Sequence, residues 1–576
     1  MSTIESQATR GRLGAAALTA GAIAFAFRLI TVRSLTDDHY MHLAWAQQLL
    51  LGQWPGRDFV DPGMPLMYSL SAVVQWFAPG PFSEALITCA LLAIAASVTV
   101  IVTAELTGSV AAGTLAALFE IAMTPRLYSY PKILVPVIAL LLIARHVRKP
   151  TRGTLALLAL WTAVATLLRH DLGVYAAAGI TTALALPLAK PRRVVRPLVE
   201  YAVALVVMMV PYVVYVQWSE GLPAHFHNAI EFAKGEAHQR FLAPPAFPFW
   251  SDSRGLAAWN AADCAVFLFY VANLLPVVAT ALLATARTER RERTPAMAAA
   301  ITMLVLYLVV VLRHPIATRI QDLASLLAIA GTWTVVASGR RALGGAPAAA
   351  RAARLAFAAI ALAAAGSVAA TWTLNDVSDR VAETRVMDGL DLVDRTIEGV
   401  KESGTVWPWE RFWPAGELPE AIRYLNACTA PTDKVLLTWP APQYYYFARR
   451  PFGAGQALFL PPDAFTNRED QELMLARMMR ERIPIILVNE TRAQEFADAY
   501  GEVQGYLRQE YVASGHFQIR EGSDVTIAVR RDLKPEGTYG SERWPCGFES
   551  RAASRTASIM LDGSAVPLPA MSNAVP

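Results

Sequence analysis

Asp37 and Asp38 stand side by side just after the first long apolar stretch of the chain, in the string Thr36-Asp37-Asp38-His39-Tyr40. Carboxylates so close to hydrocarbon are costly and tend to be kept for chemistry or binding. An adjacent pair suits general-base work, one oxygen taking a proton from an attacking hydroxyl while the neighbour orients it. Five basic residues complement them. Arg126, Lys132, Arg169, Arg313 and Arg319 each fall in or beside a short polar turn between apolar stretches. Arg offers a planar fork to two phosphate oxygens and Lys a compact charge, so together they suit an anionic headgroup. The alternative for each is a side chain that only reaches out to lipid phosphates.

The elements that must position these groups are membrane helices. The 576 residues are 54% hydrophobic and only 17% charged, a balance that favours an integral membrane class. Apolar runs of crossing length predict about eleven spans, near 14–33, 84–105, 109–125, 131–146, 153–168, 172–188, 198–217, 263–286, 296–312, 320–338 and 355–374. Basic clusters around Arg10, Arg145–Arg152, Lys190–Arg196, Arg287–Arg293 and Arg340–Arg354 recur after every second crossing. This positive-inside pattern puts the amino terminus in the cytoplasm and, with an odd number of spans, the carboxyl-terminal region outside. The first span, longer than a signal-peptide core, reads as an uncleaved anchor. The five basic residues above are exceptions to the pattern, at outer ends of spans and at the depth of the acidic pair. The net charge of +4 resides largely in the cytoplasmic loops and does not point to nucleic acid.

The first outer segment, 34–83, is more than a loop. Asp38 to Leu51 has helical periodicity with Tyr40, Leu43, Ala46 and Leu50 on one side, and Pro65 to Phe77 is a short apolar stretch suited to the interface. A second outer segment, 218–259, is dense in aromatic residues, as at headgroup level. After about 375 the pattern becomes that of a soluble α/β domain ending near 543. Helices are predicted over 418–428 and 468–482 and strands over 434–438, 483–489 and 525–531, before a disordered tail at 544–576. Cys428 and Cys546 both fall in this outer part and could pair or stay apart; Cys89 and Cys264 lie in membrane helices.

Tyr40, Asp61, Tyr128 and His170 are accessory or substrate-contacting candidates, and Glu120 is a second acid in the outer part of the third span. Asp171 could cap a helix, and Asp322 could pair with Arg319. His225, His227 and Glu231 do not make a convincing metal set, because residues two apart on a helix face away from each other. A divalent ion between Asp37 and Asp38 is permitted by the chemistry but not required, and no cofactor is expected.

The acidic pair, the run to Gly52 and Trp54, the string Asp58-Phe59-Val60-Asp61-Pro62, and many spans with an outer α/β domain resemble the GT-C membrane glycosyltransferases. The similarity is nearest to the protein mannosyltransferase and aminoarabinose transferase group (family 39-like). The resemblance implies a GT-C fold of about 11 transmembrane helices in the plasma (inner) membrane of a bacterium. It implies a sugar carried on polyprenyl phosphate and transferred with inversion to an acceptor hydroxyl on a glycan, lipid or protein at the periplasmic face. It also implies a base at Asp37 with Asp38 adjoining, and lipid-phosphate contacts at Lys132, Arg169 and Arg319. Two departures are visible. Asp61-Pro62-Gly63 stands where the aminoarabinose branch has a Lys after the acidic residue, which speaks against aminoarabinose transfer to lipid A. Trp407-Pro408-Trp409-Glu410 is not the Trp-Trp-Asp signature of oligosaccharide transfer to Asn. The competing readings are a lipid or glycolipid transporter or flippase, which predicts repeats and broken helices at mid-bilayer, and a passive anchor for the outer domain.

Overall fold

The computed structural model describes residues 3–31, 35–61, 63–186, 192–227, 261–285, 293–313, 317–343, 418–457, 468–519 and 523–550, with a few isolated positions between them. The predicted span at 355–374, most of the 218–259 segment and the domain boundary near 374 lie outside the described residues.

The chain is a multi-pass α-helical membrane protein that carries a small α/β unit. Its membrane part contains α1 (Thr3–Thr31), α4 (Pro81–Thr107), α5 (Val110–Ala122), α6 (Tyr130–Arg148), α7 (Arg152–Leu168), α8 (His170–Ala185), α9 (Arg192–Ser219), α10 (Ala261–Ala284), α11 (Thr294–Arg313) and α12 (Ala324–Leu343). These match ten of the predicted spans. Seven segments are long and apolar enough to cross a membrane by length and composition alone, while α5 and α7 are shorter. Helix ends follow local chemistry. Pro81 and Pro131 occupy first-turn positions that need no amide donor. The Ser109 side chain caps α5, and Thr151 forms a capping box on α7. Gly108 ends α4 in the left-handed conformation.

Two further helices lie in the 34–83 segment, α2 (Asp37–Leu50) and α3 (Pro65–Phe77). The periodicity of α2 predicts one apolar side, but residues 42–48 are all buried. The helix is enclosed nearly all round because its second face carries Ala44, Trp45 and Gln48, small or bondable groups that tolerate enclosure.

The chain divides into two compact units, Met1–His42 with Asp61–Trp413, and Leu43–Val60 with Pro414–Pro576. Residues 43–60, read from sequence as part of the membrane domain, therefore belong with the carboxyl-terminal residues. Within that second unit the Gln48 amide donates to the Arg450 carbonyl (3.2 Å) and its oxygen accepts from the Phe452 amide (3.1 Å). The Val60 amide donates to Gly455 O, and Phe59 meets Phe452 edge-on. The unit is built on α13 (Leu418–Cys428), α15 (Arg468–Arg480) and a sheet of β1 (Val435–Leu437), β2 (Ile485–Asn489), β4 (Ser523–Arg530) and β3 (Tyr511–Ile519). Strands β1 and β2 are parallel; the other pairings are antiparallel. The helices and strands predicted here are present within a few residues. The remaining helices, α14 (Pro442–Ala448), α16 (Ala493–Ala499) and α17 (Gly501–Glu510), are short, and only α14 packs largely out of solvent.

The disordered tail expected over 544–576 is overturned at its start, and residues 551–576 lie outside the described residues. Trp544–Ser550 is a strand, β6, paired antiparallel with β5 (Leu533–Tyr539). Cys546 on it is disulfide-bonded to Cys428. Its Ser, Pro and Gly content hid it, since an edge hairpin needs little apolar sequence when Trp544 and a cross-link anchor it.

Candidate active site at the first turn of helix α2

In the first unit, α2 starts where the Thr36 carbonyl accepts the His39 and Tyr40 amides. Both acidic residues sit in its first turn, where unsatisfied amides and the positive end of the helix favour carboxylates. Asp38 is exposed, and its Oδ2 accepts the Tyr128 hydroxyl at 2.5 Å. The side chain of Asp37 lies outside the described residues. Tyr40 is fully buried.

Tyr128 lies in a one-turn 3-10 helix, Leu127–Ser129, between α5 and α6. The turn before it is tight enough to force Thr124 to φ +47°, a conformation that a β-branched residue rarely adopts without surroundings that hold it there. The Arg126 guanidinium lies over the Tyr128 ring, 4.9 Å from its centre. One tyrosine thus joins the expected acid to an expected cation.

The expected cations are not all open. Arg126 (2.8 Å) and Lys132 (2.6 Å) both hold Asp322 Oδ2, so Asp322 is not the simple partner of Arg319 that the sequence allowed. Asp322 enters from the 3-10 turn Ala317–Leu323 ahead of α12. Its second oxygen is buried with no hydrogen-bond partner among the described residues. The trio keeps one net positive charge. The Lys132 carbonyl accepts the Tyr307 hydroxyl (3.2 Å), and the Ile133 carbonyl accepts the Ser325 hydroxyl (3.2 Å), fixing α6 against α11 and α12. Arg169, at the junction of α7 and α8, pairs with Asp171 at 2.8 Å. Arg319 is half-buried in the same turn as Asp322, and the side chain of Arg313 lies outside the described residues.

His42, one turn along α2, packs near the Tyr128 ring at 6.0 Å. Burial first, then the charges of His39, Arg169 and Lys132, hold its imidazole well below the usual range and so neutral.

Asp61 and His170 form a separate cluster. Asp61 Oδ1 accepts the Gly63 amide (2.9 Å) and the Tyr68 hydroxyl (3.3 Å), and Oδ2 faces the Tyr212 hydroxyl at 3.5 Å. His170 Nε2 bonds that hydroxyl at 3.0 Å, and its ring meets His225, which pairs with Glu220 at 2.5 Å. Gly63 has φ +79°, and a Cβ there would come 2.9 Å from His170 Nδ1, so no other residue fits. Burial raises the Asp61 carboxyl despite the Gly63 amide, and the hydrogen bond that His225 donates to Glu220 raises His225 despite its burial. Tyr68, Tyr212 and Glu220 were not visible in the sequence as members of any site. No metal-binding group of His, Cys, Asp and Glu occurs among the described residues.

Glu120 stands apart. It is buried on α5 and accepts the Thr99 hydroxyl of α4 at 2.5 Å, rather than pairing with Arg126 or Arg169.

No family model matches the chain, and no curated protein matches it. Two similar solved structures are of ArnT from Cupriavidus metallidurans, an aminoarabinose transferase. The one bound to undecaprenyl phosphate is 15% identical, covers 88% of this chain and 96% of its own, and has a TM-score of 0.48. The apo structure is 14% identical, with 89% and 97% covered and a TM-score of 0.44. At these identities and scores the likeness by itself assigns neither family nor activity to the chain.

Proposed function

We propose that the protein is a membrane glycosyltransferase that moves a sugar from a polyprenyl-phosphate donor to an acceptor hydroxyl at the outer face of the membrane. The observation that carries this reading is the Tyr128 junction, where the Asp38 carboxylate and the Arg126 guanidinium share one side chain. In this mechanism a carboxylate of the pair, Asp37 by the family resemblance, takes the acceptor proton as the acceptor oxygen bonds to the anomeric carbon. The bond from that carbon to the phosphate oxygen breaks, with inversion. Polyprenyl phosphate leaves with growing negative charge, which fixed cations in a partly dry site can stabilise.

Asp322 bears on how that charge is met. It holds Arg126 and Lys132 on one oxygen, so a lipid phosphate would compete with it for both cations rather than find them bare. Asp38, anchored through Oδ2, orients the turn. A divalent ion is not required by this scheme. The Cys428–Cys546 bond suits an oxidising compartment, which fits the outward placement that the basic loops imply.

The test is direct. Purified protein is given a panel of polyprenyl-phosphate sugars with candidate acceptors, and released polyprenyl phosphate is measured. Release that requires an acceptor and is lost in Asp37→Asn supports the reading; no release with any donor overturns it.

A further inference from the structure

Behind the acidic turn lies a polar cluster that the proposed reaction does not use. His39 of α2, Ser71 of α3 and Glu84 in the first turn of α4 are only 2%, 4% and 2% exposed. Glu84 Oε1 takes the Ser71 hydroxyl at 2.8 Å and faces His39 Nε2 at 3.2 Å. An Nε2–H donating to that oxygen pairs the two atoms. Glu84 Oε2 is buried with no hydrogen-bond partner among the described residues.

Such a cluster is an expensive way to join three helices, since apolar side chains of similar volume would do it without desolvating a carboxyl. Its position explains its retention better. His39 follows Asp38 directly, and successive residues on a helix project about 100° apart around its axis. The His39 ring also meets the Tyr128 ring edge-on at 6.3 Å. Two fixed points about 100° apart, Asp38 on Tyr128 and His39 on Glu84, leave the first turn of α2 no freedom to rotate.

We propose that Glu84 and His39 are positioning residues that set the rotation of the acidic turn toward the substrate. This rests on the glycosyltransferase reading above. Glu84 does not touch the reacting atoms; it acts through His39.

The experiment measures steady-state transfer by the full-length protein for Glu84→Leu, Glu84→Gln and Ser71→Ala, normalised to monodisperse protein. A turn displaced by about 1 Å loses up to about a hundredfold in turnover. Glu84→Leu is therefore expected to lower kcat at least tenfold, roughly, with donor KM held within about twofold. Glu84→Gln keeps an acceptor oxygen and is expected to restore kcat to within about threefold of the parent, with Ser71→Ala showing a similarly small loss. If Glu84→Leu does not fold, His39→Phe, which keeps a ring and removes the donor, is read the same way. Unchanged kcat in Glu84→Leu or His39→Phe, a change confined to KM, or no rescue by Gln overturns the inference. Because the parent protein is assayed alongside, the outcomes separate: no acceptor-dependent release by the parent with any donor sinks the glycosyltransferase reading, whereas an active parent with a fully active Glu84→Leu sinks only this one.

Discussion

Asp38 and Asp61 both belong to the 34–83 segment and both lie within reach of a tyrosine hydroxyl, yet they live in opposite surroundings. Asp38 is exposed, with one described hydrogen bond and a guanidinium on the far face of its partner ring. Asp61 is half-buried, faces an amide and two hydroxyls, and has imidazoles beyond them. A carboxylate whose bonding capacity is filled by its own chain cements a loop. One left accessible beside cations can meet a substrate. In the proposed mechanism the contrast makes the α2 turn the place for chemistry and the Asp61 turn the place for architecture.

The largest effect that could break this contrast is on turnover. Asp37→Asn is expected to cost at least about a hundredfold in transfer, the usual range for a lost general base. Asp61→Asn is expected to stay within about tenfold, since the amide can keep most of the hydrogen bonds. Equal losses in the two would erase the distinction. Next in size is stability. Asp322→Ala leaves the Arg126 and Lys132 charges uncompensated in a largely buried site, and breaking such a pair costs about 3–5 kcal/mol. Thermal unfolding in detergent measures it. Tyr128→Phe is milder, with about a three- to tenfold fall in turnover and little change in unfolding, as expected for one lost hydrogen bond to a charged group.

The smallest effect is in pH. His225 is raised in the folded protein, so its stabilisation is complete below the ordinary histidine value of about 6.5 and is lost as pH rises through its folded value. Asp61, also raised, contributes in the same sense over the carboxylate range. His42 is lowered, so its contribution is complete above the ordinary value and is lost as pH falls through the folded one. Hydrogen exchange about one unit either side of pH 6.5 should therefore protect residues 61–68 better on the acid side and residues 39–42 better on the alkaline side. Glu220→Gln is expected to flatten the first trend alone.

Much of this was legible because membrane helices announce themselves by run length, and because charge at their ends is rare enough to notice. Asp38, Arg126, Lys132 and Tyr128 were found that way. Their partners were not. Asp322 lies nearly two hundred residues from the cations that it holds, and nothing local distinguishes a carboxylate that binds across the bundle from one that pairs with the next Arg. Glu84 and Tyr212 carry no local signal in the sequence that sets them apart. In the α/β unit, β3 and the β5–β6 hairpin escaped notice because most of β3 and β5 is exposed, so the apolar alternation that marks a strand is weak.

The grouping of residues 43–60 with 414–576 has a practical corollary for anyone cutting the gene. A fragment that starts at 414 would lack Gln48, which both donates to and accepts from the 450–452 backbone, and Phe59, which covers Phe452. Such a fragment would expose an apolar scar and two unmatched amide groups, so it would be prone to aggregate unless the missing eighteen-residue piece were supplied as a peptide or grafted on by circular permutation.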